Sequence, residues 1–130
     1  MTDVETWLAD WAEAIRARDF DRAHTMFAEG VVAFGSLTAA MEGREALARE
    51  QWRPIWNSTR GFAFDPPAMV LDDGHYVAVA CTWSSEGQKR EGGWYARSGR
   101  ATLVLHRLDG RLECVHSHFS MAPGIPAKDV

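Results

Sequence analysis

Residues 109–120 of this chain read DGRLECVHSHFS. The stretch opens on Asp109-Gly110, a dipeptide typical of a tight hairpin turn. Apolar and polar residues alternate after it, which predicts a strand over Arg111 to Met121. The apolar segment Trp94 to Leu108 ends at the same turn. Together the two segments predict a long antiparallel hairpin, with a bulge expected near Ser98-Gly99.

The segment before this hairpin predicts two more strands. Residues 75–84 alternate between a large apolar face and a face of small residues, which is typical of a strand with two different sides. The large face holds Val77, Val79, Cys81 and Trp83, and the small face holds Ala78, Ala80, Thr82 and Ser84. Pro66-Pro67 interrupts the apolar stretch of residues 60–71, which predicts a bulged or edge strand. A polar loop is expected over Ser85 to Gly93.

The first half of the chain has a helical period instead. Thr2 and Glu5 form a capping-box pattern before an amphipathic helix that we predict to run to Ala17. A second helix should run through Ala28 and end at Gly30, before a short strand over Val31 to Phe34. A third helix is predicted over Gly43 to Trp56, kinked or ended by Pro54.

Length and composition predict a single domain over residues 1–122 with a loose tail over residues 123–130. The chain has 130 residues, of which 46% are hydrophobic, and a net charge of −4. The negative charge argues against binding to nucleic acid or to an anionic membrane. The first residues do not resemble a signal peptide and no stretch is long enough to span a bilayer, so a cytoplasmic protein with reduced cysteines is expected.

Helices followed by long antiparallel strands predict an α+β fold. The residues that carry this order resemble the nuclear transport factor 2-like superfamily, and within it the SnoaL-like group, over about residues 3–121. The most distinctive matches are FAEGVV at 27–32, GREAL at 43–47, GRATLVL at 99–105 and the stretch at 109–120. The resemblance implies a cystatin-like cone: a curved antiparallel sheet packed on three N-terminal helices, related to polyketide cyclases and ketosteroid isomerase.

One departure from these relatives bears on activity. In ketosteroid isomerase, an aspartate between the first strand and the third helix acts as the catalytic base. Here residues 33–41 read AFGSLTAAM and contain no carboxylate, and Phe34 lies near the base position. Steroid isomerisation by that mechanism is therefore not expected.

His116 and His118 are the strongest candidates for catalysis. In a regular strand they share a face with Leu112 and Cys114, so we expect both imidazoles to point into the cone. Imidazole is well suited to proton transfer near neutral pH. The alternatives are a structural histidine pair or a subunit interface. The pair could also supply two metal ligands, but no further ligand cluster is apparent, so neither metal nor cofactor is expected.

The chain is rich in aromatic residues, with six tryptophans and six phenylalanines. These residues either fill the core or line a cavity for a flat, apolar molecule. The candidate substrate-binding residues are Phe34, Trp52, Trp56, Phe64, Trp83 and Arg97. The guanidinium of Arg97 could bind a carboxylate or an enolate oxygen if it points inward, although a suspected bulge leaves its orientation open.

Two functions follow from these observations. The first is a cavity protein for a small, apolar, ring-containing metabolite, with cofactor-free isomerase, cyclase or dehydratase chemistry at His116 or His118 left open. The second is a non-catalytic ligand-binding or oligomerisation module. The resemblance implies a homodimer through the open sheet face in either case.

Overall fold

The computed structural model describes residues 2–130. Its helical segments are α1 (Asp3–Ala17), α2 (Phe20–Thr25), α3 (Arg44–Leu47), a π-helical segment (Ala48–Trp52) and α4 (Arg53–Trp56). Its strands are β1 (Phe27–Phe34), β2 (Ala40–Glu42), β3 (Thr59–Phe64), β4 (Ala68–Asp72), β5 (Tyr76–Gln88), β6 (Trp94–Leu108) and β7 (Arg111–Met121).

The seven strands form one curved, unclosed sheet in the order β2-β1-β7-β6-β5-β3, with β4 also paired to β5. The α+β class and the cystatin-like fold are as predicted. One pairing differs from the all-antiparallel expectation, because β1 runs parallel to β7. The helices pack against one face of the sheet, here called the inner face, and the core lies between them.

Helix α1 forms as its sequence predicts. The Thr2 hydroxyl accepts a hydrogen bond from the Glu5 backbone N–H at 3.1 Å, and the Glu5 carboxylate accepts one from the Thr2 backbone N–H. Together these bonds satisfy two backbone donors at the helix start. The apolar stripe that includes Trp7 and Trp11 is buried against the sheet.

The second helix is shorter than predicted. It ends at Thr25, and β1 already begins at Phe27, so Gly30 lies within a strand instead of ending the helix. The Cys114 backbone N–H donates to the Met26 carbonyl at 2.9 Å and joins this point of the chain to β7. The Phe27 side chain is fully buried. Tertiary pairing therefore overrides the helical pattern here.

Proline does not end the third helical stretch. Pro54 lies at the start of α4, directly after the π-helical segment, and the helix continues to Trp56. The Arg53 N–H donates to the Ala48 carbonyl, five residues earlier, where an α-helix would use the carbonyl four residues earlier. Trp52 and Trp56, four residues apart, lie on one side of the helical stretch, with stacked rings 5.1 Å apart.

The predicted bulge at Ser98-Gly99 is absent from the β5–β6 ladder. That ladder is regular from Tyr76–His106 to Gln88–Trp94, so much of the predicted polar loop after Ser84 is strand. The irregularity lies in β7 instead: Cys114 pairs with Leu105 and His116 with Val104, which leaves Val115 as an extra residue. A bulge of one residue reverses the faces of the residues that follow it.

The end of the chain lies against β6 and the loop before it. The sequence predicts a loose tail over residues 123–130, but hydrogen bonds hold several of its carbonyls. Tyr95 Oη donates to the Pro126 carbonyl at 3.1 Å, and the Arg90 backbone N–H donates to the Val130 carbonyl at 2.9 Å. Within residues 2–130, no helix combines the length and apolar character needed to cross a membrane.

Candidate functional site

A cavity of about 60 Å³ lies between the inner face of the sheet and the helices. Its lining is mostly apolar, and its largest side chains are aromatic. The lining residues are Trp11, Ile15, Phe34, Gly35, Ser36, Leu47, Gln51, Trp52, Ile55, Trp56, Thr59, Phe62, Trp83, Ser85, Arg97, Ser117, Phe119 and Met121. Of the six predicted substrate-binding residues, five are in this set and Phe64 is not.

Two stacked aromatic pairs form much of the wall. Trp52 and Trp56 come from the third helical stretch, and the Phe62 ring stacks on Trp83 with centroids 5.6 Å apart. Phe64 instead packs among Trp11, Phe62 and Phe119 and borders an open groove beside α1. These rings occupy most of the interior of the cone, and the cavity is the space that they leave.

The cavity opens near the loop that follows β1. Phe34 is exposed and Gly35, Ser36 and Gln51 are half-buried, whereas most lining residues on α1, β3, β5 and β6 are buried. Phe34 only borders the cavity, because its ring contacts both histidine rings on the other face of the sheet.

Arg97 points into the cavity from β6. Because the β5–β6 ladder is regular, Arg97 shares the inner face with Gly99 and Ala101, and its side chain is only 8% exposed. Its Nη2 donates to the Thr59 hydroxyl and its Nη1 donates to the Ala127 carbonyl. Gly87 supplies the space, since a Cβ there would overlap the Arg97 side chain.

Arg97 has polar but uncharged surroundings. No carboxylate of residues 2–130 lies within 4 Å of its guanidinium. Burial lowers the pKa of Arg97 from its ordinary value, although Tyr95 partly opposes this effect. Arginine remains protonated in proteins even so. The cavity therefore contains a fixed positive charge at its polar end.

Several lining residues have polar atoms without partners. Among the described residues, four buried side-chain polar atoms lack a hydrogen bond: Trp7 Nε1, Trp11 Nε1, Ser85 Oγ and Arg97 Nε. The last three belong to residues that line the cavity, and each can donate a hydrogen bond. Buried polar groups are normally paired, so these three donors are available to a molecule bound in the cavity.

The predicted orientation of His116 and His118 is wrong. After the bulge at Val115, Ser117 and Phe119 face inward, so both imidazoles lie on the opposite face, here called the outer face. His116 Nδ1 lies 2.7 Å from the Val32 carbonyl, and neither histidine lines the cavity. The acid–base role rested on the inward orientation, and the geometry does not support it.

Apart from Arg97, the cavity lining within residues 2–130 contains no titratable side chain. Both cysteines are buried away from it: burial raises the pKa of Cys81 to about 11 and also raises that of Cys114. No group of three His, Cys, Asp or Glu residues in this part of the chain could hold a metal ion. The arrangement can bind and orient a ligand, but its side chains offer no proton acceptor.

Several lining residues could not be recognised from sequence patterns. Strict alternation from Cys114 would put Ser117 and Phe119 on the outer face, because it takes no account of the bulge, and Ser85 was expected in a loop. Phe62 could have been found, since it alternates with Phe64 in β3 and shares its aromatic character. Thr59 is the first residue of β3 and lies before the alternating residues of that strand, so the alternation did not identify it as a lining residue.

The outer face carries a band of apolar and small side chains. Val32 is 39% exposed, and Phe34, Ala78 and Ala80 lie on the same side of the sheet. The predicted small-residue face of β5 is therefore the outer face. His116 and His118 lie between β1 and β6 within this band.

Comparison with known families and structures agrees with the fold described above. A family model described as "SnoaL-like domain" matches residues 4–124. No curated protein matches the sequence significantly.

Several solved structures share the fold at low identity. A ketosteroid isomerase-like protein from Erwinia carotovora atroseptica has a TM-score of 0.80 at 14% identity, covering 93% of this chain and 95% of that one. A nuclear transport factor 2-like superfamily protein from Salmonella enterica has a TM-score of 0.76 at 15% identity, covering 93% and 92%. A cystatin-like fold protein from Caulobacter vibrioides has a TM-score of 0.77 at 11% identity, covering 94% and 89%. These similarities establish the fold alone.

Proposed function

Because this chain belongs to the family of SnoaL-like domains, and since its fold surrounds an apolar cavity, we propose that it binds a small apolar metabolite there. The observation that supports this function best is the aromatic lining, which meets a few polar groups at one end. Pockets that are mostly apolar with a few convergent polar groups are typical of small-molecule sites.

The proposed role is binding and orientation of the ligand. General acid–base catalysis requires a proton acceptor within hydrogen-bond reach of the substrate. The lining residues supply none, and His116 and His118 lie across the sheet. A cyclase, isomerase or dehydratase reaction at these histidines therefore has no support from the geometry, and we do not propose it.

The size of the cavity limits the ligand. A cavity of ~150 Å³ is known to hold one benzene molecule, whereas this cavity measures about 60 Å³. The space as it stands is therefore smaller than a molecule of the size of benzene requires. A ring-containing metabolite, or an aliphatic one with as many non-hydrogen atoms as benzene, fits only when a side chain at the mouth, such as Gln51, moves aside.

Tryptophan fluorescence provides a direct test, because Trp52, Trp56 and Trp83 line the cavity. We expect butyramide and toluene, as neutral aliphatic and aromatic probes, to change the emission saturably. Ser117 is buried in the lining, so Ser117→Leu should fill the space and weaken binding by about tenfold or more.

Thr102→Leu is the matched control, because Thr102 is exposed on the outer face of neighbouring β6. It should bind both probes as the wild type does. Equal binding by the two variants, or no saturable change with any probe, would contradict the proposal. Native mass spectrometry of the purified protein would show in addition whether a metabolite is retained.

We also propose that two copies pair through the outer face, because the exposed side chains of Val32 and Phe34 lie there on the same side as Ala78 and Ala80, and adjoining exposed apolar side chains mark interaction sites. Val32→Glu, in this band, should convert a dimer to a monomer in sedimentation velocity runs. Leu108→Glu is the matched control, since Leu108 is 37% exposed but lies at the tip of the β6–β7 hairpin. A monomeric wild-type protein would refute the pairing.

A further inference from the structure

We infer that the ligand is a small monocarboxylic acid, bound with its carboxylate at Arg97 and Ser85 and its hydrocarbon part among the aromatic rings. This inference rests on the proposed function, because it concerns the same cavity. It adds the chemical class of the ligand and its orientation.

The first argument is the unpaired charge. Arg97 is 8% exposed, and the oxygens that it contacts, the Thr59 hydroxyl and the Ala127 carbonyl, are both neutral. A buried charge is costly unless an opposite charge accompanies it. By contrast, Arg107, at the surface, contacts the carboxylates of both Asp3 and Asp72. The anionic group of a ligand can pair with the charge of Arg97.

The second argument is the excess of donors. Ser85 is directly opposite Arg97 in the β5–β6 ladder, so their side chains are neighbours on the inner face. Ser85 Oγ and Arg97 Nε both lack partners, as does Trp11 Nε1 elsewhere in the lining. No lining residue within 2–130 carries a carboxylate that could accept these bonds. A carboxylate is acceptor-only and forms short, strong bonds to guanidinium groups.

The third argument is the contrast between this end and the rest of the cavity. Beyond Arg97, Ser85 and Thr59, the walls are mainly rings and aliphatic side chains of the helices and of β3, β5 and β7. The other polar side chains are those of Ser36 and Gln51 at the mouth and of Ser117. A water molecule at the polar end would satisfy donors but would leave the charge of Arg97 unpaired. A dicarboxylate or a sugar would place polar groups against the aromatic wall at a cost. A single carboxylate on a short hydrocarbon pairs with Arg97 at the polar end and places only apolar groups against the aromatic wall.

The test compares butyrate with butyramide, which has nearly the same shape but no charge. We expect isothermal titration calorimetry to show that the wild type prefers butyrate by about 10- to 100-fold, the range of a hydrogen bond to a charged group. Arg97→Met should remove this preference while it still binds butyramide. Ser85→Ala should weaken butyrate binding by about 3- to 10-fold.

Arg100→Met is the matched control, because Arg100 lies on the same strand but on the outer face, where its Nε contacts the Ser120 hydroxyl at 3.2 Å. This variant should keep the butyrate preference. Circular dichroism would confirm that each variant is folded. If Arg97→Met does not fold, the preference of the wild type for butyrate over butyramide and the effect of Ser85→Ala still decide whether the site binds a carboxylate.

The possible results separate the two proposals. Equal affinity for butyrate and butyramide would overturn the carboxylate inference and leave the cavity function intact. So would a butyrate preference that Arg100→Met removes and Arg97→Met retains. Failure of butyrate, butyramide and toluene alike to bind would overturn the proposed function together with the inference.

Discussion

The reversed faces of β7 lead to a sharp prediction about two adjacent positions. Ser117 is 3% exposed and faces the cavity, whereas His118 is exposed on the outer face. We expect Ser117→Glu to destabilise the protein strongly at neutral pH and His118→Glu to have little effect. Regular alternation from Cys114, with no bulge, would predict that His118→Glu destabilises the protein more than Ser117→Glu does.

The magnitude follows from the pKa of the introduced carboxyl. This carboxyl lies far from the charge of Arg97, because Ser117 pairs with Leu103, about 20 Å along β6 from Arg97. A glutamate has a pKa near 4.3 in an unfolded chain, and burial can raise it to about 8. At pH 7 the folded protein would then hold the neutral acid, at a cost of about 3.7 kcal/mol in the free energy of unfolding. For 130 residues, that cost corresponds to a drop of about 13 °C in Tm.

The sign of the pH dependence identifies the cause. Because the folded-state pKa is raised, the destabilisation is absent below about pH 4.3 and grows as the pH rises toward 8. Any penalty from the larger size of glutamate does not change with pH. Thermal unfolding followed by circular dichroism at pH 4.5 and pH 7 separates the two contributions.

His118→Glu serves as the control for the helix-to-sheet packing on the inner face, and both variants are compared in the Val32→Glu background so that pairing through the outer face does not contribute. Surface substitutions usually change stability by less than about 0.5 kcal/mol, or about 2 °C here. If His118→Glu lowers Tm more than Ser117→Glu does, the bulge at Val115 is wrongly placed and the assignment of the two faces fails.

Two further predictions concern ionisable groups away from the cavity. A hydrogen bond from Arg107 lowers the pKa of Asp72, so this contact stabilises the fold above about pH 3.9 and its contribution is lost as the pH falls through the lowered value. Arg107→Met should therefore move the acid-unfolding midpoint, followed by circular dichroism, to higher pH; an unchanged midpoint would count against the contact. Burial raises the pKa of Cys81 to about 11 and also raises that of Cys114, so iodoacetamide at pH 8 should label both thiols in urea and neither in the folded protein. Rapid labelling of the native chain would show that the β5 and β7 thiols are accessible.

The long strands and the first helix were predictable because their signals are local and repeat many times. β6 and β7 have the predicted bounds. Helix α1 begins at Asp3, one residue after the start predicted at about Thr2, and ends at Ala17 as predicted. The hairpin turn at Asp109-Gly110 is equally local, since Asp109 and Gly110 both adopt positive φ angles there. Such residues are the ones that this turn requires.

The errors occurred where distant parts of the chain decide the structure. Phe27 enters a strand because β7 pairs with it, although the preceding residues favour a helix. The Val115 bulge has no glycine or proline to mark it, so strict alternation wrongly placed His116 and His118 in the cavity.

By itself, the sequence determined the α+β class, the order of the main elements and the set of large aromatic residues that share the core. Those properties follow from hydrophobic period and turn chemistry, which act over a few residues. Only the tertiary structure decided which side chains meet at the cavity. One extra residue in β7 turned two histidines outward and Ser117 inward, and the regular β5–β6 ladder aimed Arg97 at the same space. The face of a strand depends on its pairing with a neighbour, and that pairing is formed between residues far apart in the chain.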